Sequence, residues 1–183
     1  MRKVLLGALV GGIILFGWQA ISWTGLGIHD DAYKFSPAQD SIINYLQNNL
    51  SGPGQYLIPR TYDGASQAET ESFQRKLEGK PWAVITYHDY YENDMLSPVV
   101  RGLLISIFTC LLVNIVLYQF GRKKFVPVFY STVCIGMVSF LFVWYNGHNW
   151  FSTPWSVLTG ELVDAIVGWS LCGAWLGLWY GRK

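Results

Sequence analysis

The sequence predicts a membrane protein, mainly α, with four transmembrane helices and a small α/β extracytoplasmic domain inserted between helices 1 and 2. Three observations carry this. Four long apolar runs, Val4–Trp23, Val99–Phe120, Val126–Tyr145 and Leu162–Tyr180, are each long enough to cross a hydrocarbon core of about 30 Å at about 1.5 Å per residue. Only 14% of the 183 residues are charged, whereas soluble domains carry about a quarter. The cations also gather where the apolar runs stop. The organisation that follows is a transmembrane helix over 4–25, an extracytoplasmic domain over 26–97, helices over 98–120 and 125–145, an outer turn over 146–157 and a last helix over 158–180.

Orientation comes from lysine and arginine. Arg2 and Lys3 precede the first run, Arg122, Lys123 and Lys124 separate the second from the third, and Arg182 and Lys183 follow the fourth. With four crossings these clusters share one side. Both termini are therefore expected in the cytoplasm, in a multi-pass membrane protein. The first run also has the outline of a signal peptide, with Ala20-Ile21-Ser22 as a cleavage site. Its length and the flanking Trp18 and Trp23 favour a retained helix.

In the outer segment, Ser36, Pro37 and Gln39 read as the start of a helix, with Ile42, Ile43, Leu46 and Leu50 as its apolar stripe. "QYLIP" reads as a short strand. Ser66 and Glu69 form a capping box for a second helix, which Gly79 stops. "PWAVITYHDYY" is the strongest strand. A strand–helix–strand order predicts a parallel pair joined by a right-handed crossover.

Cys110, Cys134 and Cys172 all fall in apolar runs and read as small buried hydrophobes. Gly7, Ala8, Gly11 and Gly12 in the first run, and Gly168, Gly173 and Gly177 in the last, offer surfaces for close helix approach. Asn114, Gln119, Gln19 and Ser22 are candidates for hydrogen bonds between helices. No Walker lysine accompanies the glycines, no catalytic triad or paired-carboxylate constellation names an enzyme, and the net charge of +1 gives no reason to expect nucleic acid.

Two groups of residues carry chemistry. His29, His88 and His148 all fall on the expected outer side, and with neighbouring aspartates they are candidate ligands for a divalent metal such as zinc or copper. The competing reading is that they are polar residues at a membrane surface, because no local ligand spacing brings them together. Glu161 and Asp164 lie three residues apart on one face of the last helix. Arg101 is the lone cation inside an apolar run, at similar depth. An ion pair of Arg101 with Glu161, and Asp164 as second acceptor, would make these charges tolerable in lipid. The alternative is a proton or cation site open to the outside.

The stretches "GWQAISWTGLGIHDDAYKF", "GQYLIPR", "GKPWAVITYHDY", "DMLSPVVRGLLI" and "NWFSTPWSVLTGELVDAIVGWSLCGAWLG" resemble a group of uncharacterised bacterial four-span inner-membrane proteins. The resemblance implies the four-span topology and family-typical places for His29, Trp82, His88, Arg101 and Asp164; it implies no mechanism. The expectation is an accessory or assembly component of a membrane complex, non-enzymatic and without a required cofactor. Its partners would be the bilayer and other membrane subunits or further copies of itself. The alternative is a small transporter, or a metal- or proton-handling protein, using the outer histidines and carboxylates.

Overall fold

The computed structural model describes residues 1–119 and 124–181. Arg122, Lys123, Arg182 and Lys183, on which much of the expected orientation rests, lie outside them. The chain forms two units: Met1–Lys34 together with Asp94–Lys183, and Phe35–Asn93.

The first unit contains four helices long and apolar enough to cross a membrane: α1 (Arg2–Thr24), α4 (Leu96–Tyr118), α5 (Phe125–Phe151) and α6 (Trp155–Gly181). The helix α1 packs against α4 and α6, and α5 packs against α6, whereas α4 and α5 meet only weakly. Small residues set these contacts. A side chain at Gly12 would run into the Ile107 backbone, and one at Gly11 would lie 3.1 Å from Cys110 Sγ and 3.3 Å from Cys172 Sγ. Gly177 leaves room for Phe125 and Gly136 for Trp169. The glycine-rich face of α1 therefore packs on α4 and α6, while Gly173 and Gly177 of α6 pack on α5, all within one chain.

The core runs through Ala8, Cys110, Val113, Leu117, Cys172 and Leu176. Its polar groups are paired, as burial demands. Asn114 donates to the Cys110 carbonyl (2.7 Å) and accepts from the Tyr180 hydroxyl (2.8 Å), tying α4 to α6. Trp175 and Trp179 donate to the carbonyls of Gly7 (3.2 Å) and Lys3 (2.9 Å).

The third apolar helix does not end at Tyr145. A π turn at Leu141–Tyr145 leads directly into a further α-helical segment, Asn146–Phe151. The outer turn expected over 146–157 is therefore confined to residues 152–154. Gly147 alone does not stop the helix. Ser152, with φ of 51°, and Pro154 do, a left-handed residue followed by proline being an ordinary helix stop.

The second unit is smaller than the expected 26–97 domain, because the turn containing Asp30–Ala32 packs on α6 and belongs to the first unit. It holds α2 (Gln39–Asn49), β1 (Gly54–Ile58), α3 (Gln67–Leu77) and β2 (Ala83–Tyr87). The strands pair antiparallel, with Gly54 opposite Tyr87 and Ile58 opposite Ala83. The parallel expectation fails because the connection is more than a helix. A stretch over 59–66 with its own turn precedes α3, so the chain returns to the end of the sheet it left. The helix α2 also starts later than expected. The Ser36 hydroxyl accepts from the Ala38 amide two residues on (3.3 Å), which leaves Ala38 at the cap position. By contrast, the Ser66–Glu69 capping box forms with both of its hydrogen bonds.

Candidate functional site

The end of α1, the start of α6 and the loop that follows α1 meet around Asp164. Trp18 and Ser22 stand one turn apart on α1 and so share a face. The Trp18 indole donates to Asp164 Oδ1 at 2.9 Å, and the Ser22 hydroxyl donates to the same oxygen at 2.6 Å. The other oxygen, Oδ2, lies 3.1 Å from His29 Nε2. Which of the two groups donates depends on the imidazole tautomer.

The loop geometry explains how His29 reaches that position. Gly27 takes φ of 63°, a conformation that favours glycine. The chain there folds back over the end of α1, and His29 stacks on Trp23 with ring centroids 3.9 Å apart and planes 9° from parallel. His29 is only 5% exposed. On α6 the spacing Gly160, Asp164, Gly168 cuts a slot. A side chain at Gly160 would lie 2.6 Å from His29 Nδ1, and one at Gly168 would lie 2.9 Å from Trp18 Cδ1. The carboxylate thus sits between two notches, one for the imidazole and one for the indole. This G-x-x-x-D-x-x-x-G pattern was the signal in the sequence that marked Asp164, and reading the acids against Arg101 alone passed over it.

Glu161 lies one turn before Asp164 and is half-buried, with no hydrogen-bond or ion-pair partner among the described residues. Two cavities adjoin here. One of about 370 Å³ is lined by Trp18, Phe140, Trp144, Trp169, Glu161 and Asp164, among others. The second, of about 270 Å³, reaches His29 and Tyr33. Gln19, Trp144, Glu161 and Asp164 belong to both. Trp144 comes from the π turn, a local widening that often marks functional positions.

Neither Arg101 nor His148 is bonded to this cluster among the described residues, and His88 belongs to the second unit. Arg101 is exposed and takes part in neither ion pair among the described residues; those are His29–Asp164 and Arg60–Asp63. Instead, its charge helps to hold the Asp94 carboxyl below its ordinary range, after the larger effect of hydrogen bonds from Ser97. The bonds of Asp164 are to Trp18, Ser22 and His29, and none among the described residues is to a guanidinium. His148 contacts the Thr153 carbonyl through Nδ1 at 2.7 Å and sits beside the Tyr145 and Trp155 rings, where it braces the turn between α5 and α6. His88 is exposed just after β2 in the second unit. Among the described residues no three histidine, cysteine, aspartate or glutamate side chains are grouped to hold one metal ion. His29 and His148 are each held by a separate partner, Asp164 and the Thr153 carbonyl. No family model, curated protein or solved structure matches the chain.

Proposed function

We propose that the chain is a multi-pass protein of the bacterial cytoplasmic membrane that handles protons or a small cation at its outer face through Asp164, His29 and Glu161. In this reading both termini are cytoplasmic, and residues 35–93 and the turn at 152–154 are outside. The three basic clusters and the resemblance to bacterial four-span proteins support that orientation. The observation that carries the functional reading is the buried His29–Asp164 contact beside an unpaired Glu161, where two cavities adjoin. Ionisable groups at such depth are costly and typically mark ion or proton pathways. Imidazole is the side chain suited to exchanging charge near neutral pH.

The test is proton flux into proteoliposomes holding a trapped pH dye, under an imposed gradient. Flux above protein-free vesicles that Asp164→Asn abolishes is the expected result. Flux equal to that of protein-free vesicles would overturn the proton branch of the reading. A second reading, an assembly component without catalytic activity, has one specific support: α4 and α5 meet only weakly, so little of either helix is covered by the other. Stoichiometric membrane partners on purification in mild detergent would favour it.

A further inference from the structure

We infer that the larger cavity is a binding site for a small organic cation with an apolar body, and that Glu161 is its counter-ion. The inference rests on the outer cation-handling reading and gives it a ligand class. Four aromatic side chains, Trp18, Phe140, Trp144 and Trp169, line the cavity together with the two carboxylates. Aromatic faces attract cations, tryptophan most strongly, and quaternary ammonium groups are recognised in this way. The two acids play different parts. Asp164 is already hydrogen-bonded to Trp18, Ser22 and His29, so its oxygens are engaged. Glu161 has no such partner among the described residues and faces both cavities.

Other ligand classes fit less well. An anion would meet two carboxylates. A neutral apolar molecule would leave Glu161 unpaired against it. A bare metal ion needs several converging ligands, and no such group is present among the described residues. The volume of about 370 Å³ lies in the range of small-molecule sites.

Isothermal titration of the full chain in lipid nanodiscs with benzyltrimethylammonium chloride tests this, with benzyl alcohol as a neutral control. Saturable binding of the cation at one site, and none of the alcohol, is expected. Glu161→Gln should weaken binding by about tenfold or more, while Glu161→Asp keeps it within a few-fold. Thermal melts of both variants confirm that each is folded, and the aspartate variant separates lost charge from lost packing. Absence of saturable cation binding, or equal affinity in Glu161→Gln, overturns the assignment. If binding fails while Asp164-dependent proton flux persists, this assignment falls and the broader reading stands. If flux is absent but charge-dependent cation binding is found, the site stands and the proton-handling reading falls.

Discussion

The two units of this chain hold their structure by different means. In the four-helix unit, contacts are made by small residues and fully buried side chains. Ala8, Cys110, Leu117, Val128, Cys172 and Leu176 are each at most 2% exposed, and the polar Ser22, Asn114 and Thr132 among them are hydrogen-bonded. In the second unit Tyr87 is the lone buried side chain among the described residues. The helices α2 and α3 have no buried residue, and Ile42 and Ile43 are each 49% exposed. Two antiparallel strands without a covering layer are marginal in water. What supports the small unit is local: a capping box, Gly79 at φ 74° after α3, and a strand pair. Shape complementarity dominates one unit, and short-range hydrogen bonding dominates the other.

The comparison is broken most severely at Gly12. A side chain there meets the main chain of Ile107, which has no rotamer with which to yield, whereas nothing lies within 4 Å of a side chain at Gly17. Gly12→Leu is expected to destabilise the bundle by about 3 kcal/mol or more, and Gly17→Leu by little. Thermal unfolding in detergent measures both. Equal effects would mean that close approach to Ile107 does not set the penalty at Gly12.

The next effect is smaller and concerns the opening of the four-helix unit around Asp164. Asp164→Ala strips the acceptor from Trp18, Ser22 and His29 at once and should cost about 2–3 kcal/mol. Arg101→Ala, at an exposed position in neither ion pair, should change stability by about 0.5 kcal/mol or less. Parallel melts decide it. A larger loss for Arg101→Ala would restore the guanidinium as the partner of the acids.

The contrast between units also explains what the sequence made legible. Helix length and apolarity are properties of single segments, so the four long helices could be read directly, as could the Ser66–Glu69 box, whose partners are three residues apart. Depth along a helix was legible too, and it put Arg101 level with Glu161. Depth does not say which face a residue occupies. The partners of Asp164 lie 135 to 146 residues away in the chain, and their approach depends on Gly160, Gly168 and the fold-back at Gly27. The strand direction was missed for a related reason: the crossover rule holds for parallel pairs, and the Asp63-Gly64 turn signal marks a turn without saying to which end of the sheet the chain returns.

The smallest expected effect tests whether the second unit really depends on local bonds. The Glu69 carboxyl is held below its ordinary value of 4.5, first by the Ser66 hydroxyl, then by the Ser66 amide and the Tyr62 hydroxyl. Its Oε2 accepts from the Ser66 amide at 2.8 Å and its Oε1 from Tyr62 at 2.8 Å. A carboxyl with a lowered folded value contributes stability above its unfolded value and loses it as pH falls through the folded one. The first turn of α3 should therefore loosen as pH is lowered below 4.5. Hydrogen exchange of the Glu69 and Thr70 amides, corrected for intrinsic rates, should show protection falling over that range in the parent chain. In Glu69→Gln it should be lower at neutral pH and flat with pH. Protection that holds steady in the parent chain through acid would show that the capping box is not what keeps this helix end formed.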